Sequence, residues 1–250
     1  MRLGIDFGTT RTVVAACDRG NTPVVSFEAP DGSLHAHIPS LAATDGSDWR
    51  YGWEAAEVLH EPDWHSIRSF KRALSGEGAS LHRAVRVGPH EVALVDLLTG
   101  FLGHLRDQLA ESTAAELAGA NDDELVAMVA VPAGASSTQR LATLAAFRSA
   151  GFDVQGLLNE PSAAGVEYAH RYRKTLTSVR QDVLVYDLGG GTFDASRVSM
   201  EGGKHRVLAH AGLSDLGGAD IDRALLRLAC DALGCAYDER TDWLESARAA

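Results

Sequence analysis

Two short stretches of this chain share one layout. Ile5-Asp6-Phe7-Gly8-Thr9-Thr10 and Tyr186-Asp187-Leu188-Gly189-Gly190-Gly191-Thr192 each run from an apolar strand to an aspartate, then into glycine and hydroxyl residues. Residues of that kind between strand-forming runs fit a tight turn, so each stretch predicts a hairpin. The first joins strands over 2–7 and 11–17, and the second joins strands over 183–187 and 192–199. Third strands are expected over 23–28 and 205–210. The two aspartates stand 181 positions apart, and a chain that builds the same hairpin twice predicts two related lobes.

The turns carry chemistry as well as shape. Glycine and threonine let backbone N–H groups and hydroxyls approach an anion with no bulky side chain between. Two such turns can grip a polyphosphate from both sides. An aspartate beside each turn repels phosphate unless a cation intervenes. Mg²⁺ takes oxygen ligands and keeps several waters, which makes Asp6 and Asp187 its direct or water-mediated anchors. A plain hairpin turn explains either stretch alone, and the repeat is what favours the phosphate reading. The pattern GxxxxGK[ST] does not occur, so the cradle is of another type.

Between the hairpins the pattern is α/β. Leu94, Leu97, Leu98, Phe101, Leu102, Leu105 and Leu109 recur at helical spacing within 92–110. Residues 125–131 are a continuous apolar run ended by Pro132, as a buried parallel strand reads. Ser136 with Gln139 three residues on matches a capping box, and Gly151 closes that helix. A strand over 154–158 follows, then a helix from Pro161 through Tyr172. Strand, helix, strand, helix in order predicts a parallel sheet component. Residues 31–50 are polar with little periodicity. Ile221, Leu225, Leu228 and Ala232 predict a closing helix, and the basic connection Arg171, Arg173, Lys174 and Arg180 is the best domain boundary.

Composition narrows the partners. With 250 residues and a net charge of −11, the chain lacks the surplus of Lys and Arg that holds phosphate backbones, which argues against nucleic acid. The longest apolar run, residues 125–133, is far shorter than the ~20 residues a spanning helix needs, and Asp6 comes too early for a signal peptide. Cys17, Cys230 and Cys235 make no disulfide framework or CxxC site and read as small buried thiols in a reducing cytoplasm. His35 and His37 sit two apart with no further ligands near, so a loop or strand is favoured over a metal site. Trp49, Trp53, Trp64 and Trp243 read as packing residues.

Five stretches, taken in order, resemble the ATPase domain of the DnaK-type, seventy-kilodalton heat-shock chaperones, within the actin-like ATPase superfamily. Gly4 to Thr10 is similar to the family's first phosphate loop, and Ser69-Phe70-Lys71-Arg72 to its Lys-Arg segment. Val131-Pro132-Ala133, Gln139 to Thr143 and Asn159 to Ala164 resemble its first connecting segment. Tyr186 to Asp194 is similar to its second phosphate loop, and Leu216 to Asp222 to the glycine hinge that follows.

The resemblance implies a two-lobed α/β fold of the ribonuclease H-like, actin-like kind, with ATP or ADP and Mg²⁺ as ligands. It implies that Gly8, Thr9, Thr10 and Arg11 line the β- and γ-phosphates. Gly189, Gly190, Gly191 and Thr192 would hold them from the other side, with Gly217 and Gly218 close to the nucleotide. Lys71 would position the attacking water, and Glu160, Asp187 and Asp6 would order that water and the hydrated metal. Such a site works by positioning and electrostatics, without a covalent intermediate. Pro132 and Arg140 resemble the family's relay to a neighbouring domain.

The chain departs from the family's pattern in places. Gly134 and Ala135 stand where aromatic residues usually follow the switch proline. Arg11 replaces a commonly neutral residue, and either adds charge near the phosphates or meets only solvent. The chain stops at Ala250, soon after the hinge, and Leu244 to Ala250 reads like a helix in mid-course. The expectation is therefore lobe I over 1–178 with an inserted subdomain at about 31–110, and a partial lobe II over 179–250. Apolar surface on lobe II would be exposed, with marginal stability or self-association. The expected function is an ATP-binding and ATP-hydrolysing module of a DnaK-like chaperone, cytoplasmic, with no membrane or nucleic-acid partner. Co-chaperones or clients would bind through regions not in this chain. The alternative is a non-hydrolysing nucleotide-binding remnant or a protein–protein regulatory module.

Overall fold

Strict alternation in the first strand sets the first layer. In Arg2–Phe7 (β1), Leu3, Ile5 and Phe7 are buried, while Asp6 lies on the opposite face. A slip of one residue would exchange Asp6 for Phe7, so the buried face fixes the register. The computed structural model describes residues 1–74, 80, 82–112, 125–172, 181–201 and 204–235.

β1 pairs antiparallel with Arg11–Ala16 (β2). Phe27–Glu28 (β3) and Leu34–His35 (β4) form a short pair, and Ile38–Pro39 (β5) adds to the β2 edge. Leu41–Thr44 (β6), Trp49–Tyr51 (β7) and His65–Arg68 (β8) make a small sheet in the order β7-β6-β8, beside the short helix Gly52–Glu57 (α1). Ala84–Val87 (β9) and His90–Ala93 (β10) pair before the long helix Leu94–Glu111 (α2). Val126–Val131 (β11), Ser137–Ser149 (α3), Asp153–Asn159 (β12) and Glu160–Arg171 (α4) follow in the expected alternation. β11 runs parallel to both β1 and β12, which gives a five-stranded sheet ordered β12-β11-β1-β2-β5. Asp182–Leu188 (β13), Phe193–Ser199 (β14) and Arg206–Leu213 (β15) form a separate antiparallel sheet, followed by Gly218–Leu233 (α5).

The main core lies between the five-stranded sheet and α2. Seven residues of α2, from Leu94 to Leu109, are buried at helical spacing. The Phe7 ring meets Phe101 at 5.8 Å and Phe147 at 5.9 Å, and Phe101 meets Phe70 at 5.3 Å. Phe70 thus ties the segment before Lys71 to the core. Ser136 caps α3 by accepting the Gln139 N–H at 3.2 Å, and Gly151 leaves the helix with a φ of +89°.

Three expectations are corrected. Residues 31–50 hold β4, β5, β6 and the start of β7. The first two are only two residues long, and β6 is buried throughout, so no alternation marks them. The strand expected over 23–28 shrinks to β3 and an isolated bridge between Ala15 and Val24, since Pro23 has no N–H to give a ladder. Cys230 is buried, but Cys17 and Cys235 are exposed. Cys17 follows Thr12, Val14 and Ala16 on the opposite side of the alternation. The basic connection beyond residue 172, Trp243 and the segment Leu244 to Ala250 lie outside the described residues. Leu184 and Tyr186 on β13 and Leu225 and Leu228 on α5 are exposed apolar groups. Among the described residues no helix is long and apolar enough to cross a membrane.

Two substitutions separate core packing from helix capping. Phe101→Ala removes a ring shared by Phe7, Phe70 and Tyr51 and should lower stability by ~3–5 kcal/mol. Ser136→Ala should lower it by only ~1 kcal/mol. Urea denaturation at one pH checks both, and equal losses would contradict this account of the core.

Candidate functional site

The two hairpins close in the same way. The Gly8 N–H donates to the Arg11 carbonyl at 3.0 Å, and the Gly189 N–H to the Thr192 carbonyl at 2.9 Å. Each bond spans three residues and leaves two at the tip: Thr9 and Thr10 in one, Gly190 and Gly191 in the other. A Cβ at Gly8 would lie 2.4 Å from the Arg11 carbonyl oxygen, so only glycine lets the first turn close this tightly. Ser40 supports that turn from outside, donating from Oγ to the Gly8 carbonyl at 2.9 Å and from its N–H to the Thr10 carbonyl at 2.9 Å.

The tips face each other. A Cβ on Gly190 would stand 2.1 Å from Cγ2 of Thr10, and one on Gly191 would stand 2.5 Å from Cγ2 of Thr9. The first turn of α5 backs the second tip. The N–H groups of Gly218 and Ala219 donate to the Gly189 and Gly190 carbonyls, both at 2.9 Å. Around this junction lies a cavity of about 410 Å³ lined by Asp6, Gly8, Thr9, Thr10, Arg11, Lys71, Pro132, Glu160, Asp187, Gly189, Gly190 and Thr192. These expected site residues come from five separate parts of the sequence.

Lys71 sits in a short 3₁₀ turn, Phe70–Leu74, entered through Ser69 with a φ of +55°. Its side chain is 7% exposed. Nζ donates to the Phe7 carbonyl, lies 3.4 Å from Oε1 of Glu160 and stands 5.3 Å from the Phe7 ring centre. Glu160 opens α4 at the mouth of the parallel sheet. Burial pushes its carboxyl up to about 7; Lys71 opposes that rise, and the charges of Asp6 and Asp187 add to it. Burial also raises Asp6, against Lys71 and with Asp187. Asp6 is ringed by protein yet opens onto the cleft.

The carboxylates therefore hold more negative charge than one lysine balances. Among the described residues no group of three or more His, Cys, Asp or Glu is close enough to hold a metal ion directly. Mutually repelling oxygens around a wide cavity suit a hydrated Mg²⁺ contacted through water.

Some expected residues stand back from the cavity. Gly191 is buried, and its carbonyl accepts from Arg72 Nε at 2.9 Å and from Nη2. Arg72 Nη2 also meets Oδ2 of Asp220 at 2.6 Å, while Asp220 accepts the Gly217 N–H at 2.8 Å. Burial alone would raise Asp220, but Arg72, Gly217 and Arg223 hold it below the usual range. Gly217 approaches the second tip so closely that a Cβ would lie 2.5 Å from the Gly191 nitrogen. Arg11 closes the first turn through its carbonyl and is otherwise exposed at the rim. Arg140 lies behind Pro132, donating to the carbonyls of Pro132 and Ala133, each at 3.3 Å, and of Ala135 at 3.1 Å. It also reaches Oδ1 of Asn159 at 2.7 Å.

Sequence reasoning gave no site role to Arg72 or Ser40, and read Gln139, which also lines the cavity, as a helix-capping partner. Arg72 was visible only as the neighbour of Lys71, and nothing local marks Ser40. His35 stacks on Trp53 at 3.9 Å, which accounts for it as a packing residue.

The chain is similar in sequence to known proteins. The model of the family described as Hsp70 protein matches residues 101–249. The chain is 33% identical over 249 residues to a chaperone protein DnaK of Metamycoplasma hominis, covering 98% of this chain and 38% of that protein. It is 33% identical over 241 residues to a chaperone protein HscA homolog of Acinetobacter baylyi, covering 91% of this chain and 37% of the other. A chaperone protein HscA homolog of Burkholderia orbicola is 34% identical over 243 residues, with 90% and 36% covered. The chain thus spans less than two fifths of the length of these relatives.

The raised Glu160 makes a signed prediction. Between the unfolded value of 4.5 and the folded value of about 7, the folded state keeps a proton that the unfolded state has lost. Stability should therefore fall as pH rises through that window and level off above it. Glu160→Gln removes the effect and should be more stable than the wild type at pH 8 by on the order of 2–3 kcal/mol, with little gap at pH 4. Urea denaturation at the two pH values decides it; a gap that does not change with pH counts against a raised Glu160.

Proposed function

The chain belongs to the Hsp70 family, and we propose that it is a Mg²⁺-dependent ATPase module that binds ATP and ADP between its two tight turns. The family implies the actin-like ATPase fold. On this reading the five-stranded and three-stranded sheets are the cores of two related lobes, residues 1–178 with an inserted subdomain at about 31–110, and a partial second lobe over 179–250. Client and co-chaperone contacts are assigned to regions not in this chain.

The observation that carries the reading is the matched closure of the two turns across a cavity containing Lys71 and Glu160. Tip N–H groups and the hydroxyls of Thr9, Thr10 and Thr192 are suited to the β- and γ-phosphate oxygens. Arg11 lies at the rim, available to a terminal phosphate. Bound Mg²⁺, contacted through water by Asp6, Asp187 and Glu160, would neutralise phosphate charge. Lys71, fixed by the Phe7 carbonyl, holds its ammonium where charge grows on the γ-phosphate as water attacks in line. Glu160 orients that water and is able to accept its proton near neutral pH. Pro132 and Arg140 form the relay that follows the state of the site, because Arg140 joins the Pro132 loop to Asn159, next to Glu160.

Calorimetric titration of the full chain with Mg-ATP tests the proposal. Binding at micromolar or tighter Kd is expected, weakened about tenfold or more in Asp187→Asn, which corresponds to ~1.4 kcal/mol. Lys71→Ala should lower the hydrolysis rate by ~10²–10³ while changing Kd much less. A folded sample that binds no ATP up to millimolar concentration would overturn the assignment.

A further inference from the structure

His210 is an exposed residue on β15 at an open sheet edge, with its side chain half-sheltered at 27% exposure. The ring is held between two partners. Nδ1 stands 3.4 Å from Oδ1 of Asp194. Nε2 presses on Gly134 so closely that a Cβ at 134 would lie 2.4 Å away. Gly134 has no left-handed φ, so its backbone does not call for glycine. A side chain at 134 would make the imidazole shift from this position.

Each partner leads towards the phosphate site by a different route. Gly134 belongs to the loop from Pro132 to Ala135, whose carbonyls Arg140 gathers and links to Asn159, the residue before Glu160. Asp194 is paired in register with Asp187 on β13, and the charges of Asp187 and Lys71 both act on it. Asp194 is itself tightly placed, since a Cβ at Gly212 would lie 2.6 Å from its Oδ1.

We propose that His210 is a positioning residue that, held by Asp194, props the loop from Pro132 to Ala135 and couples its placement to the second phosphate turn. The nucleotide dependence of this coupling rests on the function proposed above; the contact itself does not.

Two measurements on the full chain test it. The first is a double-mutant cycle of Gly134→Ala and His210→Ala by urea denaturation, with no nucleotide present. Gly134→Ala should lower the folded-to-unfolded ratio about fivefold or more in the wild type, and leave it unchanged or higher in the His210→Ala background. Additive effects would overturn the prop. The second is NMR of the His210 imidazole, assigned by its loss in His210→Gln. Its signal should move on adding Mg-ATP, and the movement should be lost in Asp194→Asn. An unmoved signal in a sample that calorimetry shows to be loaded with nucleotide would overturn the coupling. If nucleotide does not bind at all, the proposed function fails, and the cycle alone decides the prop.

Discussion

Two backbone turns can meet at this site because one of them has no side chains. Gly190 and Gly191 present bare backbone to Thr9 and Thr10, and any Cβ there would stand 2.1–2.5 Å from a threonine methyl. Gly217 repeats the device behind the second tip. Three segments from distant parts of the sequence thus converge with their amides near one another, which is what an anion site requires. Larger residues at these positions would hold the two sheets apart and dissolve the cavity between them.

Close approach alone would not keep the sheets in register. Arg72 does so with a planar fork, joining the Gly191 carbonyl to Asp220. Its neighbour Lys71 turns the other way, into the protein, and ties the Phe7 carbonyl to Glu160. One short 3₁₀ turn therefore serves both the clasp between the sheets and the charge at the centre. Phe70 anchors that turn in the aromatic cluster with Phe7 and Phe101, so core packing sets where the two cations stand. The cluster of Asp6, Asp187 and Glu160 keeps excess negative charge in partly desolvated surroundings. Burial raises the proton affinity of Glu160, the charges of Asp6 and Asp187 add to it, and the same charges make a cation welcome.

Legibility in the sequence followed interaction range. The twin turns, the α2 stripe, the Ser136 cap and the parallel strand before Pro132 rest on contacts within a few residues, or on a period of two or 3.6. These patterns are written locally, and the structure agrees with them. The short strands within 31–50 escaped because two to four residues cannot display a period, and because β6 is buried on both sides. Most site residues named from family resemblance line one cavity, while Gly191, Gly217, Gly218 and Arg140 stand behind it, and the partners of all of them were not readable. Gly134 looked only like a missing aromatic residue, whereas the His210 ring occupies the space its side chain would need.

By itself, then, the sequence determined the local elements, the repeated phosphate-type turn and, through five ordered motifs, the family. Tertiary structure alone decided that Lys71 is buried against Phe7, 64 residues away, and that Arg72 clasps Gly191 across 119 residues. It also decided that Glu160 titrates near neutrality. A lysine, an arginine or a glutamate carries the same local signal in solvent as in a cleft. Its desolvation and its partners exist only once separate sheets have packed together.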